Sequence, residues 1–282
     1  MIMKKTIALL LAVSALSSCS KSKDTPVAPT PPAPRPAPVE RLDYIAKIER
    51  FNTGKTDKFY EVSFTYDSQK RVTSLVETYP ATYPVQVITS KISYSPQTIT
   101  WVRDENKWQK NLIAPTEGVL SLDANGKAVK LEETYHFDTG ANARPDTDYT
   151  YDNDGKLAGY KSPIYDSVSL TWQQGNMTKI VYIGDHTRTE IRGYSTSANS
   201  TYPDLNLILS SLSTGTRVRY LWSTPLGLRS ANLLTSFSDA DDGSTSTTTF
   251  TYKTDAKGRP TEVEVKDNEE SSYIYVITYL EK

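Results

Sequence analysis

The residues best suited to chemistry in this chain are few and scattered. Histidine occurs twice among 282 residues. His136 stands between Tyr135 and Phe137 in a strand-like run, and His186 follows Gly184-Asp185 at a turn. They lack ligand-like spacing, so a shared metal or a Ser/His/Asp triad would need distant segments to converge. No phosphate-cradling glycine loop and no helical His-Glu-x-x-His occurs. Carboxylates are plentiful, and Glu132, Glu133, Asp146 and Asp148 are the candidates for a glycosidase pair. Such a pair needs two carboxyls about 5–10 Å apart in a cleft, one with its pKa raised by burial. Spacing marks no pair here. Asp239-Ala240-Asp241-Asp242-Gly243 offers hard oxygens to Ca²⁺. It lacks the length and closing Glu of an EF-hand loop and reads as a solvated turn. Trp101, Trp172 and Trp222 fall at core-phase strand positions and read as packing. Trp108, in the polar stretch after Asp104-Glu105-Asn106-Lys107, is the candidate exposed aromatic for ligand stacking. No catalytic residue, cofactor or metal follows from these patterns.

The single cysteine, Cys19, ends the run Leu16-Ser17-Ser18-Cys19. Before it, Lys4 and Lys5 precede an apolar stretch, Ile7 to Leu16, too short to span a bilayer. The pattern resembles the lipobox of bacterial lipoproteins. Residues 1–18 are then a signal peptide, and Cys19 is the lipid-bearing first residue of the mature chain. Each buried CH₂ of an acyl chain contributes about 0.8 kcal/mol to such an anchor. A lipidated Cys19 leaves no thiol for disulfides, catalysis or metal binding. Residues 19–40 form a tether, with seven of the chain's 16 prolines between Pro26 and Pro38. That composition favours extended polyproline II over a packed core.

The elements that would have to position any site lie in residues 41–282, read as a single domain. Periodicity there is mostly two. Tyr60, Val62, Phe64 and Tyr66 share one face of a strand. Val85 to Ile88, Lys91 to Tyr94, Thr98 to Val102, Val168 to Trp172, Val218 to Trp222, Thr245 to Tyr252 and Tyr273 to Leu280 also read as strands. Turn signals such as Asn153-Asp154-Gly155 and Ala124-Asn125-Gly126 separate them. The expectation is all-β: an antiparallel meander of hairpins forming a curved, partly closed sheet. One segment breaks the rule. Leu205, Ile208, Leu209 and Leu212 follow i, i+3, i+4, i+7 after Pro203-Asp204, which predicts a short helix near 204–212. The formal net charge of −1, with mixed signs along the chain, excludes a basic nucleic-acid surface.

A hairpin unit recurs. Phe64-Thr65-Tyr66-Asp67 leads to Lys70-Arg71-Val72, Leu120-Ser121-Leu122-Asp123 to Gly126-Lys127-Ala128, and Tyr149-Thr150-Tyr151-Asp152 to Gly155-Lys156-Leu157. Phe250-Thr251-Tyr252 leads, after a longer turn, to Gly258-Arg259-Pro260. The Asp caps the turn, Gly takes positive φ, and a basic residue opens the next strand. These units resemble YD repeats of Rhs-type shells. Further on, Trp172-Gln173-Gln174-Gly175-Asn176-Met177 with Ile180, then Leu226-Gly227-Leu228 and Ser230-Ala231-Asn232-Leu233-Leu234, resemble a Bacteroidota-type lipoprotein family of unknown function with a porin-like fold. The resemblance implies that fold and an envelope location. It transfers no functional residue.

A porin-like fold does not require a pore. Glu61, Ser63, Thr65, Lys91, Thr100 and Arg219 fall on outer faces, where a lipid-facing barrel would need an apolar belt. The expected protein is a non-enzymatic envelope lipoprotein that binds or scaffolds a glycan or an envelope protein. A hydrolase with a carboxylate pair and a structural or adhesive shell are the alternatives.

Overall fold

The computed structural model describes residues 42–82, 85–105, 117–137, 140–146, 149–161, 167–214, 223–241, 244–268 and 272–281. All lie in the unit Glu40–Lys282; Met1–Val39 is a separate unit. The first strands are β1 (Asp43–Asn52), β2 (Lys58–Tyr66), β3 (Val72–Tyr79), β4 (Gln86–Tyr94), β5 (Thr98–Glu105) and β6 (Glu117–Leu122). Next come β7 (Ala128–Phe137), β8 (Gly140–Asp146), β9 (Thr150–Tyr151), β10 (Leu157–Tyr160), β11 (Ser167–Gln173) and β12 (Asn176–Ile183). Then follow β13 (Thr187–Ala198), β14 (Thr201–Tyr202), α1 (Leu205–Thr214), β15 (Asn232–Asp241), β16 (Ser244–Thr254), β17 (Pro260–Asp267) and β18 (Ser272–Tyr279).

Seventeen of these strands form one antiparallel meander that does not close into a barrel. The chain order is not the sheet order. β1 pairs with β2 on one side and with β18 on the other, so the first and last strands described are neighbours in mid-sheet. β8 pairs with β7, and β9 pairs with β10. The short β14 adds a parallel pairing at the start of β1. The all-β meander and the single short helix agree with the sequence reading. Val85–Ile88 and Lys91–Tyr94, expected as separate strands, belong to one, β4. The strand expected around Val218–Trp222 lies outside the described residues.

One face of the sheet carries a single core, drawn from nearly every strand and from Leu205, Ile208 and Leu209 of the helix. Ile48, Val62, Leu75, Trp101, Leu131 and Val263 are among its most buried members. Each such side chain contributes about 1.5–3 kcal/mol on leaving water. These residues sit in the strand halves nearest the Asp-capped turns, and α1 plugs that end. Gly118 admits the Trp101 indole, since a Cβ there would lie 2.4 Å from its Nε1.

The four repeat turns share one geometry. Asp67, Asp123, Asp152 and Asp255 each accept, through one carboxylate oxygen, the backbone N–H groups two and four residues on, at 2.8–3.0 Å. Gly126, Gly155 and Gly258 take φ of 76°, 74° and 78°; Lys70 holds the same place at 63°. A register shift adjoins each turn, at Tyr66, Leu122, Leu157 and Thr254. The resulting bulge lets Val72 and Leu75, or Ala128 and Leu131, both face inward despite a three-residue spacing.

The bulge also turns one carbonyl toward an aromatic of a following strand. Tyr94 donates to Val72 O (2.8 Å), Tyr151 to Ala128 O (2.7 Å), Trp172 Nε1 to Leu157 O (2.7 Å) and Tyr279 to Pro260 O (2.7 Å). The basic residue of each turn lies over that same ring. Arg71 is 4.4 Å from the Tyr94 centroid, Lys127 5.1 Å from Tyr151, Lys156 4.9 Å from Trp172 and Arg259 4.5 Å from Tyr279. Each unit is thus closed by an aromatic that bonds its backbone and screens its cation.

The outer face is wet. Thr65, Lys91, Thr249 and Thr251 are exposed there. Lys58 bridges Glu49 (3.1 Å) and Glu61 (2.6 Å), and Lys253 and Lys55 both meet Glu262. Glu61, Ser63, Thr65, Lys91 and Thr100 occupy the outward positions expected of them; Arg219 lies outside the described residues.

Candidate functional site

Beyond the core the inner face changes character. The same alternation that buries apolar residues near the plug buries charged ones farther along each strand. On β3, Leu75 is followed two residues on by Glu77; on β5, Trp101 by Arg103; on β7, Leu131 by Glu133. On β13, Glu190 and Arg192 precede the inward Tyr194. Sequence reasoning missed Arg50, Glu77, Arg103, Arg188, Glu190 and Arg192. The signal was present: each continues the period-two phase of an apolar neighbour.

On β13 and β15 the charges are matched. Glu190 and Asp239 are register partners, so two carboxylates stand side by side on the inner face. Each has its own cation. Arg192 donates to Glu190, and Arg188 donates Nε to Asp239 Oδ1 at 2.8 Å. Burial opposes charge on Arg192, but the adjacent Glu190 more than offsets it and holds the guanidinium's pKa above its usual value. Each carboxylate is thus held by a guanidinium of its own. Asp239, expected in a solvated turn, is therefore an inward strand residue with an arginine partner. Asp242 and Gly243 lie outside the described residues.

Around β1 the charges are not matched. Arg50 has Tyr275 of β18 and Tyr60 of β2 as its register partners. Its guanidinium carbon lies 4.1 Å from the Tyr273 ring centroid. Its Nε is buried and meets no acceptor among the described residues, nor does any carboxylate pair with it there. Two strands away on β3, Glu77 is 1 % exposed and accepts the hydroxyls of Tyr60 (2.8 Å) and Tyr79 (3.3 Å). The Tyr60 and Tyr79 rings are 5.1 Å apart, and those of Tyr273 and Tyr275 are 5.5 Å apart. Burial raises the Tyr273 and Tyr275 hydroxyls above the ordinary range, so both remain neutral donors. A half-buried cation stacked on a tyrosine ring, with one donor that meets no acceptor among the described residues, can hold an anion.

The plug is polar for a different reason. Asp204 caps α1, accepting Leu207 N at 3.2 Å and Asn199 Nδ2 at 3.1 Å. Its burial pushes its carboxyl pKa up, against the pull of Arg229. Asn176 and Asn232 exchange two bonds of 2.9 Å, and Ala231 N reaches Gly175 O at 3.0 Å. The Gly175-Asn176 hairpin and the Ser230-Ala231-Asn232 loop, quoted above as motifs, therefore meet to seat the plug. They build no reactive site.

Of the other sequence candidates, Glu132 is exposed and ion-paired to Lys130, while adjacent Glu133 is buried on the opposite face. The two cannot act together. Asp146 ends β8 opposite Leu131, and Asp148 lies outside the described residues. His136 lies within β7, and His186 is exposed at the turn between β12 and β13. Among the described residues no group of three His, Cys, Asp or Glu could hold a metal. Trp101 is fully buried, and Trp172 packs against the core. Trp108, Trp222 and Cys19 lie outside the described residues.

No family model and no curated relative matches the chain. In fold, the chain is similar to a porin-like protein from Bacteroides uniformis, with 17% identity and a TM-score of 0.60 over 84% of this chain and 100% of that one. The fold of this chain is therefore porin-like: a β-meander sheet with a short helix.

Proposed function

We propose that this chain is a cell-envelope lipoprotein, anchored through Cys19, whose sheet stands in water and binds or scaffolds a glycan or an envelope protein without catalysing a reaction. The observation that carries this reading is the outer face. Lys58, Glu49, Glu61, Lys253 and Glu262 form cross-strand ion pairs where a lipid-facing strand would be apolar. A Lys at the bilayer midplane costs about 2–4 kcal/mol, so rows of charge oppose insertion. Glu190 and Asp239 are each engaged by an arginine, a structural role that favours binding over hydrolysis. The repeated Asp turns favour a second reading, a structural or adhesive shell. Two experiments test the proposal. The unit Glu40–Lys282 should be monodisperse without detergent, and a need for detergent would overturn the water-facing reading. The same unit should capture a ligand on a glycan array or in an envelope pull-down; capture of nothing in either would favour the shell.

A further inference from the structure

We infer that the inner face around Arg50 is a subsite for a carboxylate-bearing sugar, such as a uronic acid residue of an anionic glycan. This rests on the binding reading above and names its site and ligand class. A guanidinium removed from water normally finds an acceptor, because leaving its donors unsatisfied is costly. Two other inner-face arginines conform: Arg188 and Arg192 each have a carboxylate. Arg50 has none among the described residues, and its Nε is buried without an acceptor. What surrounds it is aromatic: Tyr273 beneath the guanidinium at 4.1 Å, with Tyr60 and Tyr275 on the strands either side.

That set matches an acidic sugar better than a bare anion. The guanidinium fork suits a planar carboxylate. The partly exposed rings of Tyr79 and Tyr273 suit the C–H surface of a pyranose. Arg50 is also reachable. It is half-buried and sits two residues beyond the buried Ile48, toward the end of the sheet away from α1.

Calorimetric titration of Glu40–Lys282, which holds its own core, tests the inference. The titrants are an oligo-uronate, a neutral oligosaccharide of equal length, and inorganic phosphate. The wild-type chain should bind the oligo-uronate, with affinity falling as salt rises. Arg50→Gln should weaken it at least tenfold, Arg50→Lys less, and Tyr273→Leu severalfold, each with an unchanged circular-dichroism spectrum. Should Arg50→Gln perturb the fold, Arg50→Lys and Tyr273→Leu carry the comparison. Equal oligo-uronate binding by wild type and all three variants would overturn the site. So would phosphate binding as tightly as the oligo-uronate, or a preference for the neutral sugar. A failed oligo-uronate titration alongside a hit on the glycan array or pull-down sinks this inference alone. A chain that captures nothing sinks the binding reading as well.

Discussion

The two ends of the inner face use the same strands for opposite purposes. Near the plug, Ile48, Val62, Leu75 and Leu131 belong to one apolar core with Leu205, Ile208 and Leu209 of α1. A few residues farther along those strands the same alternation delivers Arg50, Glu77 and Glu133. One end earns stability from dry surface; the other buries charge, which costs stability unless every charge is answered. The difference teaches that a sheet can separate folding from recognition along its strand axis, with no second domain.

The sharpest way to break this comparison is at the matched charges. Arg192→Ala should cost about 3–5 kcal/mol in chemical denaturation, because it strands the buried Glu190. Replacing both together, Glu190→Leu with Arg192→Met, should restore stability to the wild-type level or above. Leu75→Ala, at the plugged end, should cost about 2–5 kcal/mol with no second-site remedy of that kind. A double substitution as damaging as the single one would mean that the polar half is a stabilising core after all.

Acid sharpens the contrast between turns and plug. The carboxyls of Asp67 and Asp123 are held below their ordinary range chiefly by backbone N–H bonds, and that of Asp255 by Arg259. Their contribution is complete above the unfolded pKa of about 4 and is lost as pH falls through the lower folded values. Asp204 has the opposite sign. Burial raises its folded pKa, so it weakens the fold at neutral pH, and that penalty fades as pH drops toward 4. Thermal melts should therefore show stability falling steeply below about pH 4 in wild type, and less steeply in the triple Asp→Asn turn variant. Asp204→Asn should leave the acid limb and flatten the slope above it. The smallest effect expected is at Lys70, the one left-handed residue of the four turns that is not glycine. Lys70→Gly should raise stability by about 1 kcal/mol or less, as relief of φ strain is partly offset by glycine's unfolded-state entropy.

Much of the fold was legible. Tyr60, Val62, Phe64 and Tyr66 share the inner face as their spacing requires, and the Asp-to-basic turns form as their residue types dictate. The helix expected near 204–212 spans Leu205–Thr214. What could not be read is long-range. Nothing local in Asp43–Asn52 says that its partner is Ser272–Tyr279. The aromatic closing each turn lies on another strand, 15 to 23 residues from the carbonyl it meets. The polar inner band was hidden by a habit of thought: an alternating strand is read as apolar-in and polar-out. Glu77 and Arg192 are in phase with the core and polar, so the pattern looks degraded where it is in fact continuous.

The mid-sheet meeting of β1 and β18 bears on how the protein is made. Synthesis delivers β1 first, and β2 soon covers one of its edges. The other edge waits for the last strand of the sheet. Until then a row of unsatisfied backbone donors and acceptors stays open to any passing strand. Contacts this distant in sequence form slowly, and a nascent chain would need that edge shielded. Loss of the final strand would for the same reason open the sheet at its centre rather than trim its border.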